Sequence, residues 1–185
     1  NMEYFFSYWM NSMFKKGKAD IWLGITKKEI DLSDIYVLYS GGDDLVIIGP
    51  WDKIVYTSYY IRKKFEEYVS ENEEITLSGG IALSHPKQQI ISGIYMAGEF
   101  EEKSKNIDED KNALTLFDRS FKWDEFSKIF EFAEKLQQIY DNTDTSDEKS
   151  IITQAFLYRR VQSVNMSEKI YEDLKNGKNP DFSLL

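Results

Sequence analysis

The sequence contains no cysteine and a single histidine, His85, among its 185 residues. The absence of cysteine excludes disulfide scaffolds, thiolate zinc sites and cysteine nucleophiles. With one histidine, a scheme that needs a histidine pair has no candidate pair, and a Ser-His triad has one candidate base. Catalysis by this chain would therefore depend on carboxylates, amides, backbone groups and bound metal.

Long apolar runs and an excess of positive charge are also missing. No run approaches the ~18 apolar residues of a membrane span, and the aromatic start does not resemble a signal peptide. We therefore expect a cytoplasmic protein with no membrane partner. The formal net charge is −9, whereas sequence-blind binding of phosphate backbones depends on clustered Lys and Arg. A nucleotide ligand is expected at a local site with a divalent cation.

The chain is rich enough in apolar residues, at 42%, to form a packed core. Apolar spacing predicts, in chain order, a helix over residues 4–14, strands at 35–39 and 45–48, a helix at 52–70, a strand at 74–82, a helix at 87–105 and a strand at 113–117. A strand placed before the first helix would complete the βαββαβ ferredoxin-like order. We expect an α+β fold with an antiparallel sheet backed by helices. The sheet would lack its first strand, which would occupy a central position.

A second, helical domain is expected after Trp123, where the strand signals stop. A helical stripe over residues 126–140 is followed by a polar loop and by helical patterns near 150–164 and 167–176. We therefore predict two domains, residues 1–123 and a small all-α domain over residues 124–185. A chain that opens inside a helix is typical of a fragment, and we expect residues 1–185 alone to be poorly soluble.

The most informative motif is the turn between the two short strands, where Gly41 and Gly42 precede Asp43 and Asp44. Divalent Mg²⁺ or Mn²⁺ prefers hard oxygen ligands and is often held by one or two carboxylates plus substrate phosphates. Glycines leave the backbone bare, so a nucleotide can approach its N–H groups. A polar hairpin turn without chemistry explains the same residues, since Gly and Asp are common turn formers. Spacing alone leaves both interpretations open.

Residues 39–45, Tyr-Ser-Gly-Gly-Asp-Asp-Leu, resemble the GGDD signature of a known family. This is the palm polymerase domain in the large subunit of type III CRISPR–Cas effector complexes, especially the Csm branch. Four further segments resemble the same family in the same order, at residues 49–53, 76–82, 96–105 and 111–123. The resemblance implies a cyclase-like (GGDEF-type) palm fold that lacks its first strand in this chain.

The resemblance also implies an activity, the joining of ATP molecules 3′–5′ into cyclic oligoadenylate when the complex senses target RNA. In this interpretation Asp43 and Asp44 hold catalytic Mg²⁺ or Mn²⁺, with ATP as substrate. The family domain has an aspartate-bearing first strand that supplies another metal ligand, and that strand has no counterpart here. The implied partners are the other effector subunits, guide RNA and target RNA through them, and the remaining N-terminal part of the same subunit.

The nucleotide-binding residues are likewise implied by the resemblance. Ser40, Gly41 and Gly42 would shape the nucleotide pocket, and Lys105 at a helix end would contact the triphosphate, with Lys103 as the fallback. Residues 78–80 either line the pocket or form a close-packed strand, and both interpretations stay open.

Two other functions compete with this one. A GGDEF-type diguanylate cyclase would have Glu-Phe where this chain has Asp44 and Leu45. A non-catalytic palm scaffold that docks effector subunits would keep the fold without binding ATP or metal at the hairpin.

Overall fold

The structure is a computed structural model, which describes residues 2–23, 26–107, 109–141 and 175. The chain divides into two compact units, Asn1–Glu131 and Phe132–Leu185. The helices predicted near 150–164 and 167–176 lie outside the described residues, apart from Lys175, which is helical. The predicted domains, 1–123 and 124–185, stay a prediction.

The described part of the chain contains both helices and strands. In order they are a π-helical segment Tyr4–Trp9, α1 Met10–Lys16, β1 Lys18–Leu23, β2 Thr26–Asp31, β3 Tyr36–Gly41, β4 Asp44–Ile48, α2 Trp51–Tyr68, β5 Gly79–Ile81, α3 Ile90–Lys105, β6 Ala113–Leu116, β7 Arg119–Lys122 and α4 Trp123–Asp141. The predicted α+β class is confirmed. Within the described ranges, no helix combines the length and apolar character needed to span a bilayer.

The described strands form three small sheets, with orders β1-β2, β3-β4 and β5-β6-β7. The prediction of one antiparallel sheet is therefore wrong for these residues, because β5 and β6 pair in parallel. A helical crossover, here α3, is the usual way to connect two parallel neighbours. The ferredoxin-like strand order is not shown by these sheets and stays a prediction.

The π-helical segment and α1 together form the first helix, which lies where the sequence predicted it and contributes much of the core. Its apolar face buries Phe5, Phe6, Met10 and Met13, and the ring of Phe5 lies 5.4 Å from that of Phe65 on α2. The helix ends where Gly17 adopts a left-handed φ of 69°, a conformation that glycine accepts without a Cβ penalty. The apolar face that the spacing predicts is thus buried, in part against α2.

The structure contains two hairpins that the sequence did not predict, β1–β2 and β6–β7. In β1 and β2 the buried residues are Ala19, Ile21 and Ile30. Strand β2 contains one apolar residue, Ile30, so the sequence shows no apolar alternation there. In the β6–β7 hairpin the turn residues Phe117 and Asp118 have φ of 54° and 64°. Positive φ at both central positions is the type I′ pattern, which normally uses Asn and Gly, so the sequence carries no turn signal there.

Strand β5 is shorter than the predicted strand at 74–82, because side chains hold the residues before it. Thr76 Oγ1 donates to the carbonyl of Asp110 at 2.7 Å. Trp123 Nε1 donates to the carbonyl of Leu77 at 2.7 Å. These bonds take the place of ladder pairing at Thr76 and Leu77 and fix the start of α4 beside β5.

Candidate functional site

The glycine–aspartate motif lies at the tip of the β3–β4 hairpin, as predicted. Gly41 pairs with Asp44, so the turn consists of Gly42 and Asp43. Gly42 has a φ of 64° and Asp43 does not have a positive φ. A positive φ at the first central position alone is the type II′ pattern, which requires glycine there. Asp44 is consequently the first residue of β4, and Asp43 projects from the turn itself.

The two faces of the hairpin have different surroundings. Leu45 and Ile47 pack against the hydrophobic core. Side chains alternate along a strand and cross-strand partners share a face, so Asp44 lies on the opposite face with its partner Gly41. Both Asp43 and Asp44 are exposed. The register therefore directs Asp44 away from the core.

Ser40 lies on the core side of the hairpin, opposite Leu45. Its hydroxyl donates to the carbonyl of Phe6 at 2.6 Å, which fastens β3 to the first helix. Its predicted contact with nucleotide stays a prediction, and the structure adds a structural bond that the sequence did not indicate.

The bare backbone of the two glycines is not equally open. A Cβ atom on Gly42 would meet nothing within 4 Å, whereas one on Gly41 would lie 3.2 Å from the phenolic oxygen of Tyr39. The ring of Tyr39 thus lies over Gly41. Sequence reasoning missed this residue, although its position two before Gly41 on one strand placed both on the same face.

The two carboxylates are available to a ligand. Within the described part of the chain, no side-chain hydrogen bond or ion pair engages Asp43 or Asp44. Among all the residues that the structure describes, there is no cluster of three or more metal-ligating side chains. Carboxylate pairs fit Mg²⁺ when substrate phosphates and water complete the shell. Asp43 and Asp44 therefore fit a divalent cation shared with a nucleotide, and not one enclosed by these residues alone.

Lys105, the predicted triphosphate contact, is already ion-paired on its own helix. Its ammonium lies 2.9 Å from Glu101 Oε1 and 3.2 Å from Glu102 Oε1. The hydrogen bond with Glu101 is the main cause that raises the pKa of Lys105. Lys103, the fallback, pairs with Asp118. The described ion pairs of these lysines involve α3 and the β6–β7 turn, and not the β3–β4 hairpin, so both roles stay predictions.

Residues 79 and 80 form a close-packed strand against α3. A Cβ atom on Gly80 would lie 2.2 Å from the carbonyl oxygen of Ala97. The fully buried Ser104 of α3 donates to the carbonyl of Gly79 at 2.7 Å. Helix packing therefore accounts for Gly80, whereas a Cβ atom on Gly79 would lie 3.1 Å from Cδ1 of Leu114 on β6.

Together the fold and the hairpin define an α+β domain that presents two adjacent carboxylates and an open glycine backbone at one solvent-facing tip. Residues 1–115 match the family described as Cas10/Cmr2, second palm domain. The chain belongs to this family, and the resemblance deduced from its motifs is confirmed.

Relatives in the type III CRISPR systems extend far beyond the matched region. A Cas10/Csm1 protein of Methanocaldococcus jannaschii, described as a single-strand-specific deoxyribonuclease of subtype III-A, is 41% identical over 101 residues, which cover 49% of this chain and 13% of that protein. The Cas10/Csm1 protein of Mycobacterium tuberculosis is 33% identical over 129 residues, covering 68% and 15%. The chain thus spans about one seventh of the length of these curated relatives.

Two solved structures share the fold. A crystal structure of a Csm1–Csm4 cassette in complex with one ATP superposes with a TM-score of 0.56 at 23% identity, over 70% of this chain and 19% of that chain. A Csm1–Csm4 cassette in complex with cA3 superposes with a TM-score of 0.63 at 18% identity, over 95% of this chain and 25% of the other.

Proposed function

We propose that this chain is the nucleotide-binding palm of a type III effector large subunit and takes part in converting ATP to cyclic oligoadenylate. The observation that carries the proposal is the solvent-facing pair Asp43 and Asp44 at the hairpin tip of a chain that belongs to the second palm domain family. Two Csm1–Csm4 cassettes of similar fold, solved with ATP and with cA3, support a nucleotide as the ligand.

In the proposed reaction, the 3′-hydroxyl oxygen of one ATP forms a bond to the α-phosphorus of another. The bond from that phosphorus to the oxygen bridging to the β-phosphate breaks, pyrophosphate leaves, and the hydroxyl proton passes to solvent. A bound divalent cation would favour loss of that proton and neutralise charge on the leaving phosphates. Asp43 and Asp44 would hold the cation, and the open backbone at Gly42 would let the phosphates approach.

The proposed site is completed by other parts of the assembly. The described residues offer no third carboxylate ligand at the hairpin, which supports a ligand from elsewhere in a longer subunit. We also propose that this domain has the ferredoxin-like palm topology, with its first strand supplied by another part of the longer subunit. A Csm4-type subunit and, through the assembly, guide and target RNA are the proposed partners in the cytoplasm.

The test uses the complete effector assembly with ATP, Mn²⁺ and target RNA. Asp43→Asn combined with Asp44→Asn should lower oligoadenylate output by about 100-fold or more, the size of effect expected when electrostatic stabilisation of the transition state is lost. The matched control is Glu73→Gln with Glu74→Gln, another adjacent pair of exposed acids with the same change in charge. The control should keep its output. Equal output from both double variants would contradict the assignment of the site.

Binding and competition measurements on the same assembly distinguish the two other functions. Stronger competition by GTP than by ATP would indicate a diguanylate cyclase. An assembly that forms normally but binds neither ATP nor Mn²⁺ at the hairpin would indicate a docking scaffold.

A further inference from the structure

Tyr39 covers the backbone of Gly41 on the exposed face of the hairpin. A Cβ atom placed on Gly41 would lie 3.2 Å from the phenolic oxygen and 3.4 Å from Cζ of Tyr39. The side chain is nevertheless 55% exposed. One edge of the ring therefore rests on the glycine while much of its surface is open to solvent.

The register of the hairpin brings this phenol beside a carboxylate. Tyr39 pairs with Val46 and Gly41 pairs with Asp44, so both pairs lie on the same face. Directly opposite residues in an antiparallel ladder have Cα atoms about 4.5–5.5 Å apart. The hydroxyl that rests over Gly41 is thus about one cross-strand spacing from Asp44.

An irregularity in β3 sets which side chains share this face. The pairing shifts between Val37 and Tyr39, which is the signature of a β-bulge. Such bulges re-aim side chains near functional sites. Because of the shift, Tyr36 at the far end of β3, paired with Ile48, shares the exposed face with Tyr39.

The chemistry of Tyr39 suits a polar ligand at this position. Among the described residues its hydroxyl has no hydrogen-bond partner. A phenol is an uncharged donor with a flat apolar ring. Placed beside Asp44, it can donate to an oxygen of a bound nucleotide without neutralising the carboxylate.

We propose that Tyr39 is a substrate-contacting residue of the hairpin site. Its hydroxyl donates to a phosphate or ribose oxygen of the nucleotide held at Asp43 and Asp44. Its ring forms the side of the site next to Gly41. This inference rests on the proposed function and adds a residue to that site.

The test measures the affinity of a non-hydrolysable ATP analogue, with Mn²⁺, for the complete effector assembly by equilibrium dialysis. Tyr39→Phe keeps the ring on Gly41 and removes the donor, so we expect binding weaker by about 5-fold or more, the effect of losing one hydrogen bond from an uncharged donor. Tyr36→Phe is the matched control, since it loses the same atom on the same strand face and is 65% exposed. Its affinity should be unchanged.

A third arm carries Asp43→Asn with Asp44→Asn. Loss of binding in this arm together with wild-type affinity of Tyr39→Phe would overturn the role of Tyr39 and leave the proposed function standing. Equal weakening by Tyr39→Phe and Tyr36→Phe would overturn it as well, because the effect would not belong to this position. Unchanged binding in all three arms would overturn both proposals.

Discussion

Gly80 of β5 lies directly against the backbone of α3 at Ala97. A Cβ atom at Gly80 would be 2.2 Å from the Ala97 carbonyl oxygen and 2.5 Å from the amide nitrogen of Glu101. Both atoms belong to helix backbone, so neither can move aside as a flexible side chain would. The absence of a side chain at Gly80 therefore sets how closely α3 approaches the sheet.

Gly80→Ala should destabilise the protein, because the new methyl group overlaps backbone atoms. Overpacking typically costs about 1–3 kcal/mol, and we expect at least the upper end. Urea denaturation gives the change in the free energy of unfolding. The control is Gly98→Ala within α3, where a Cβ would meet nothing within 4 Å, and which should stabilise by about 0.5–1 kcal/mol. Equal stability of the two variants would contradict the close approach.

The buried hydroxyl of Ser104 should be coupled to that of Thr115. The two oxygens lie 2.7 Å apart, and Thr115 Oγ1 lies 2.7 Å from Ser120 Oγ. Ser104→Ala and Thr115→Val should each cost about 1–3 kcal/mol, since each leaves buried partners unpaired. The double variant should cost less than the sum by about 0.5 kcal/mol or more. Strict additivity in denaturation experiments would show that the two hydroxyls act independently.

Acid should remove a stabilising contribution of Asp31. The backbone N–H of Ser33 donates to Asp31 Oδ1 at 3.0 Å and Lys53 Nζ donates to Oδ2 at 2.9 Å. The Ser33 bond is the leading cause that lowers the pKa of Asp31, and Lys53 adds to it. A carboxyl whose pKa is lower in the folded state stabilises above its unfolded pKa of about 3.9, and this stability is lost as the pH falls through the folded pKa.

Melting temperatures of wild type and Asp31→Asn should therefore differ most above about pH 4 and converge as the pH falls further. Lys53→Met should leave the Asp31 pKa below its ordinary value, because the Ser33 bond remains. An NMR titration of the Asp31 carboxyl in that variant measures it. A return of the pKa to its ordinary range would show that Lys53, and not Ser33, is the main cause.

If Lys105 contacts the triphosphate, Lys105→Gln should raise KM for ATP by about 10-fold, as expected when a charge-assisted hydrogen bond is lost. Glu101 and Glu102 compete for the same ammonium. Replacing both with Gln should lower KM, because the cation is released to the phosphates. Steady-state synthesis by the complete assembly measures both effects. A rise in KM for Lys103→Gln alone would transfer the role to the fallback lysine.

Local sequence patterns predicted the elements whose signals lie within one segment. Apolar spacing located α2, α3 and the start of α4 to within a few residues, and two β-rich runs around Gly42 located the β3–β4 hairpin. The β6–β7 hairpin could not be predicted in this way, because its turn uses Phe117 at a positive φ. The β1–β2 hairpin was not predicted because β2 contains one apolar residue, Ile30, and so shows no apolar alternation.

The sequence by itself determined the α+β class, the family, and the position of Asp43 and Asp44 at a glycine-containing hairpin turn. These features follow from local periodicity and turn chemistry. Tertiary structure alone decided that β5 and β6 pair in parallel, that Asp44 faces away from the core and that Tyr39 covers Gly41. Such features depend on register and on which distant segments approach each other, and a residue's immediate neighbours in the chain do not encode them.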